Sequence, residues 1–235
     1  MAQIPTFFCV LKAGKKYGPD HVGYLKNSIT RSVSEAFRFV CLSDVDVPCE
    51  RIPLKHKWPG FWSKAELFRK DVANPEGLNV YVDLDVIVAN DLKKFLSYPH
   101  RFSMTRDDLF PARANSSVMA WTGDHSDIYE EMRQAPLRTR FKYRNFRLYG
   151  DQALIEMHLV RENDPPARIE DLFGKAAVRT FRRPADVENL EEALFISFQG
   201  PIPKPGTAQF EKRAAIPGTN EAAIYPLIKR QWGIR

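Results

Sequence analysis

Short β-branched or aromatic runs alternate along this chain with stretches of helical spacing, and that alternation sets the expected architecture. Thr6 to Leu11 is an apolar run of strand length, followed by a glycine-punctuated basic loop from Lys12 to Pro19. After Asp20, Val22, Leu25, Ile29 and Val33 recur at helical spacing to about Glu35. Phe37 to Leu42 is the next strand, so the chain opens as strand, helix, strand, the unit of a right-handed parallel crossover. Pro48, Pro53 and Pro59 mark the next segment, to Trp62, as irregular, and Ser63 is placed to cap a helix over Lys64 to Lys70. Further strands are expected within Gly77 to Asn90, at Arg101 to Arg106, Asn115 to Trp121, Ala176 to Phe181 and Leu194 to Phe198. Helices are expected over Asp91 to Leu96, Ser126 to Arg133 and Gly150 to His158. A basic, aromatic-rich stretch ends at Tyr149 with no element assigned. Gly200 to Gly206 reads as a rigid proline loop, and the tail is only weakly amphipathic.

This pattern predicts one α/β domain over residues 1–235, with a mixed, mostly parallel central sheet flanked by helices. A nucleotide-binding part would cover about 1–90, an acceptor-side part about 91–210, and a basic tail 211–235. No repeat or composition shift marks a boundary.

The central strand breaks its own pattern. An apolar run through Tyr81 and Val82 meets Asp83 and Asp85, then resumes as Val86-Ile87-Val88. An unpaired carboxylate is costly in a buried strand. Residues two apart share a side, so both carboxylates can face one hard cation such as Mg²⁺ or Mn²⁺. A strand-end turn whose aspartates cap the following segment is the plainer reading of so short a motif. Ligands of open α/β sheets sit at the carboxyl ends of strands. Lys12 to Tyr17, Asp83 with Asp85, Asp107 with Asp108, and Gln199 to Lys204 all fall at such ends, which favours the cation.

Composition narrows the partners. A formal net charge of +6, from 35 Lys and Arg against 29 Asp and Glu, favours anionic ligands. The basic residues are dispersed, so no nucleic-acid motif is present. Cys9, Cys41 and Cys49 lack metal spacing, and reduced core thiols point to a cytoplasmic location. The start lacks a signal-peptide pattern and no window reaches a membrane span. The five histidines form no ligand pair, and no nucleophile triad is readable.

Several residues carry two readings. Lys12, Lys15 and Lys16 could hold phosphates and Tyr17 could stack on a base, or this is a solvated turn; it is not a P-loop. Lys64, a cation in the first turn of its expected helix, fits a phosphate there or a surface lysine. Asp151 and Gln152, after Gly150, fit a helix cap or a substrate pocket.

Taken together these features resemble GT-A-fold glycosyltransferases, close to glycosyltransferase family eight with its glycogenin-like and bacterial galactosyltransferase-like enzymes. The resemblance rests on five motifs in order: Trp62 to Phe68 with Lys64, Tyr81 to Val88 with the Asp-x-Asp pair, Asn115 to Trp121, Gly150-Asp151-Gln152, and Phe198 to Pro205. It implies a nucleotide-sugar donor, usually a UDP-sugar, a divalent cation, usually Mn²⁺, a hydroxyl acceptor and retaining stereochemistry. On it, Asp83 and Asp85 would hold the metal, and Lys64 and Lys204, beside Gly200, would contact phosphates. The Lys12, Lys15 and Tyr17 loop would hold the nucleoside, while Asp107, Asn115, Asp151 and Gln152 would line the sugar and acceptor side. One position departs: Ser197 stands where the family carries a histidine metal ligand. A sugar nucleotidyltransferase and a catalytically weakened nucleotide-sugar-binding protein are the alternative readings. Weak peripheral membrane contact by the tail, through Trp232 among basic residues, is a lesser expectation.

Overall fold

The computed structural model describes residues 4–234 apart from 15, 145–149, 182–189 and 199–202. Lys15 and Gly200, expected at the site, lie outside the described residues.

The opening crossover forms as the pattern predicts. Strand β1 (Thr6–Leu11) leads into helix α1 (Pro19–Ser32), whose buried face carries Val22, Leu25 and Ile29, and the chain returns as β2 (Arg38–Ser43). β1 and β2 are parallel, with Cys9 opposite Cys41. The proline-marked segment, expected to be irregular, holds an edge strand, β3 (Glu50–Pro53). Pro53 is tolerated there because an edge strand need not donate from every residue. The Lys64 helix is a 3₁₀ segment, Gly60–Phe68, that starts before Ser63 and buries seven consecutive residues. Burial all round leaves no polar face for an α-helical period to show.

The central run is two strands, β4 (Asn79–Val82) and β5 (Val86–Val88), interrupted by Asp83-Leu84-Asp85. A short helix, α2 (Lys93–Leu96), leads to β6 (Phe102–Arg106) and β7 (Ala114–Trp121). Helix α3 (Ser126–Gln134) is followed by α4 (Pro136–Lys142), a helix in the basic stretch that had no expected element. Helix α5 (Gly150–Arg161), β8 (Ala167–Arg168), α6 (Ile169–Phe173), β9 (Val178–Thr180) and β10 (Phe195–Ser197) follow. The seven-stranded sheet runs β3-β2-β1-β4-β7-β6-β8, and a second sheet runs β5-β10-β9. Only β7 opposes the other strands of the large sheet. Its first residues therefore lie beside the last residues of β4 and β6.

The tail is folded into the body. Helices α7 (Ala208–Ala214) and α8 (Asn220–Trp232) cover the small sheet with Phe210, Ile224 and Ile228. Trp232 is 3% exposed and stacks on Tyr24 with ring centroids 4.5 Å apart. That removes the ground for membrane contact through Trp232. On the other face of the large sheet, Trp121 packs between Phe8, Phe68 and Phe102. Each such buried ring stabilises the fold by roughly 1.5–3 kcal/mol.

Candidate functional site

The sheet arithmetic brings the chemistry together. The carboxyl ends of β1, β4 and β6 and the amino end of β7 point the same way, and the first turn of α5 closes over them. The break between β4 and β5 is fixed from both sides: the Asp83 amide donates to Ser117 O at 2.8 Å, and the Phe198 amide donates to Asp85 O at 3.0 Å. The backbone of Asp83 is thus held by the large sheet and that of Asp85 by the small one.

Each carboxylate has its own lysine and its own tyrosine. Lys64 Nζ lies 3.0 Å from Asp83 Oδ1, and the Tyr81 hydroxyl donates to the same oxygen at 2.5 Å. Lys204 Nζ lies 3.1 Å from Asp85 Oδ2, and the Tyr17 hydroxyl donates to that oxygen at 2.8 Å. Burial, opposed by Lys64, pushes the Asp83 carboxyl up to about 6, and the nearby Asp85 charge adds to the rise. Burial and the same carboxylates push the Tyr17 and Tyr81 phenols up.

The two lysines are in unlike positions. Lys64 also donates to Ser116 Oγ at 3.1 Å and lies 3.3 Å from Asp151 Oδ2. Burial penalises its ammonium, but Asp151 and Asp83 outweigh this and hold its pKa above the ordinary lysine value. Lys64 is therefore a buried tie between the aspartate turn and α5, where sequence reasoning expected a phosphate contact. Lys204 is also buried, and among the described residues only Asp85 is ion-paired to it, without a well-directed hydrogen bond. Burial lowers its pKa, with Asp85 offsetting part.

The acceptor-side residues form one chain of hydrogen bonds. Asn115 Nδ2 donates to Gln152 Oε1 at 3.1 Å, and Gln152 Nε2 donates to Asp107 Oδ2 at 2.9 Å. The other Asp107 oxygen caps its own loop, accepting from the Leu109 and Phe110 amides at 2.9 Å. Asp151 is buried and accepts from Ser116 Oγ at 2.6 Å. Gly150 has φ +69°, and a Cβ there would stand 2.7 Å from the Phe61 ring, so glycine is required twice over.

Lys12 turns aside from the aspartates, 3.4 Å from Asp44 Oδ2. Tyr17, expected to stack on a base, has its hydroxyl on Asp85 and meets His21 edge-on at 5.3 Å. Ser197 ends β10 opposite Val86, fully buried, with no hydrogen-bond partner for its hydroxyl among the described residues. Among the described residues no group of three or more His, Cys, Asp or Glu is arranged to hold a metal. The hard donors at the break are thus the carboxylates of Asp83 and Asp85, oxygen ligands of the kind a divalent cation takes. Sequence reasoning missed Tyr81 and Ser116. The i, i+2 spacing of Tyr81 and Asp83 on one strand side was the available signal for the first.

No family model matches the chain, and no curated protein matches it by sequence. Solved structures do. The glycosyltransferase GlyE of Streptococcus pneumoniae TIGR4, in its apo form, aligns with a TM-score of 0.62 at 14% identity over 99% of this chain. The chain spans 62% of the length of that GlyE structure. The galactosyltransferase LgtC, in complex with donor and acceptor sugar analogs, aligns with a TM-score of 0.55 at 10% identity, over 96% of this chain and 95% of its own. The bifunctional glycosyltransferase WbbM aligns with a TM-score of 0.53 at 14% identity, over 96% of this chain and 52% of its own. Identity this low carries the fold alone, and the fold is the GT-A architecture of these glycosyltransferases.

Proposed function

We propose that this chain is a glycosyltransferase that moves a hexose from a nucleotide-sugar donor, a UDP-sugar, to a hydroxyl acceptor. The observation that carries the reading is the Asp83-Leu84-Asp85 break, held at a strand end between Lys64 and Lys204. In this reaction the bond from the anomeric carbon to the diphosphate oxygen breaks, and the leaving diphosphate keeps the electron pair. The acceptor oxygen forms the new bond and loses its proton. Retention at the anomeric carbon belongs to the proposal.

Asp83 and Asp85 would hold a divalent cation, Mn²⁺ or Mg²⁺. When bound, such an ion neutralises charge growing on the leaving diphosphate. Lys204 supplies a buried cation whose one ion-pair partner among the described residues is Asp85, and an incoming phosphate gives it a further anionic partner. Lys64 holds Asp83 and Asp151 in register, one ammonium between two carboxylates. Gln152, with its amide orientation fixed by Asn115 and Asp107, presents a rigid polar edge to the sugar and acceptor side.

The test is incubation with a panel of sugar nucleotides and Mn²⁺, reading donor hydrolysis and thermal shift. Stabilisation by one nucleotide sugar with slow hydrolysis is expected. A fold that no nucleotide sugar stabilises, with or without metal, sinks the proposal. The double variant Asp83→Asn with Asp85→Asn is expected to lower turnover by about 10²–10³-fold or more. A second reading, a nucleotide-sugar-binding protein of weakened turnover, is favoured by Ser197, since a hydroxyl is a poorer ligand than an imidazole. Donor-induced stabilisation without hydrolysis or transfer would select it.

A further inference from the structure

The distribution of exposed apolar side chains is uneven. Among the described residues nine large hydrophobic side chains are exposed, and five of them sit on segments that meet the first turn of α5. Phe61 packs its ring edge over Gly150. Leu109 and Phe110 ride on the loop that Asp107 caps, and Asp107 is joined to Gln152. Leu137 and Phe141 project from α4, which with Phe61, Trp62 and Gly150 borders an open groove of about 730 Å³. Four other such residues are scattered over the rest of the surface.

Helix α4 is the extreme case. Leu137 and Phe141 are 73% and 86% exposed, and their spacing of four puts them on one edge of the helix. Neither can gain from solvent; both gain from an apolar phase. The same stretch carries Arg138, Arg140, Lys142 and Arg144 and no acidic residue. Lys142 is paired to Glu131 at 3.3 Å, while the three arginines have no carboxylate partner among the described residues. Protruding Leu and Phe flanked by unpaired guanidiniums is the chemistry of a headgroup interface: apolar tips enter the acyl boundary while the cations meet lipid phosphates. A protein partner would need roughly 800 Å² of matched surface on each side. One seven-residue helix with a discontinuous rim does not offer that, so a fluid surface that moulds to the rim is the better match.

We propose that α4, together with the Phe61 and Leu109–Phe110 rim, docks on an anionic lipid bilayer and holds the mouth of the site at the membrane surface. The docking rests on this surface and not on the identity of the reaction. With the glycosyl-transfer reading, it makes the acceptor hydroxyl one borne by a lipid.

The experiment is sedimentation of the full chain with phosphatidylglycerol-containing vesicles and with pure phosphatidylcholine vesicles, at low and high salt. Binding to the anionic vesicles, weakened by salt, is expected, with little binding to the neutral ones. The double variant Leu137→Ser with Phe141→Ser should lower the affinity by about tenfold for each side chain removed. Should that variant fail to fold, Arg138→Gln with Arg144→Gln is the substitute, and it should lower binding and flatten the salt dependence. Lys229→Gln with Arg230→Gln, on α8, should leave binding unchanged. No binding to anionic vesicles overturns the proposal. So does equal binding to neutral ones, or binding that the α4 variants leave intact or that the α8 variant removes. Donor hydrolysis in vesicle-free buffer reads the enzymatic proposal separately, so the two can fail independently.

Discussion

Asp83 and Asp85 are two residues apart and are held in unlike ways. Asp83 stands at the end of the large sheet, and its partners are built in: Tyr81 from the same strand, Lys64 from a run of seven buried residues, and through Lys64 also Ser116 and Asp151. Asp85 stands at the start of the small sheet and draws on loops, Tyr17 from before α1 and Lys204 from after β10. The first half is a closed network in which one ammonium is shared by two carboxylates. The second pairs its lysine, among the described residues, with one carboxylate. Removing one partner of a buried network strands the charges it held, whereas a lysine with a single paired carboxylate can take up a further anion. The contrast separates a half that holds the turn from a half that receives an anion.

The strongest challenge to that contrast is to remove each lysine. Lys64→Met leaves buried Asp151 and part-buried Asp83 without their cation, and is expected to cost about 3 kcal/mol, read from denaturant unfolding. Lys204→Met removes an ammonium that burial already disfavours, and is expected to cost about 1 kcal/mol or less while weakening sugar-nucleotide binding. Equal costs for the two would erase the distinction.

A finer cut uses the phenols. Tyr81 is itself buried, and Tyr81→Phe takes a hydrogen bond from a part-buried carboxylate and should cost about 1.5–3 kcal/mol. Tyr17→Phe, in the loop half, should cost about 0.5–1.5 kcal/mol. The same unfolding curves decide it, and a larger loss at Tyr17 would reverse the assignment.

The smallest effect is a control outside both halves. Burial raises the Glu131 carboxyl, but His158, Arg161 and Tyr143 outweigh it and hold the pKa at about 2, below its ordinary 4.5. A depressed folded value contributes stability that is full above the unfolded value and is lost as pH falls through the folded one. The thermal midpoints of the native chain and of Glu131→Gln should therefore differ at neutral pH and converge between about 4.5 and 2. The cations Lys142 and Arg161 that face Glu131 are exposed, so solvent screening keeps the difference small. A difference that persists to the acid end would assign the stabilisation to packing.

Much of this was legible in the sequence because the elements that place the site are strongly patterned. β1 and β2 are nearly unbroken apolar runs, α1 keeps its apolar residues at helical spacing, and the Asp-x-Asp break stands out because charges interrupt a β-branched run. Partnerships across the fold were not legible. Nothing local to Lys64 says that it meets Asp83 and Asp151, which lie 19 and 87 positions away (83 − 64 and 151 − 64). The 3₁₀ segment hid because it is buried on every side, so no period emerges. α8 was under-read for a related reason: polar groups hold it, with Gln231 donating to Ala89 O and Asn27 donating to Trp232 O, both at 2.8 Å. Polar residues facing inward erase the amphipathic signature.

The interruption between β4 and β5 has a mechanical consequence. Because Asp83 is bonded to β7 and Asp85 to the strand end of β10, the dipeptide step between them is a seam joining two sheets. A ligand gripping both carboxylates would rivet that seam. Small shears between the sheets would then be suppressed at the point where they begin, and openings of β5, β9 and β10 that are independent of the large sheet would become rarer. Amide hydrogen exchange should report this as slowed exchange spreading through the small sheet, well beyond the residues the ligand touches.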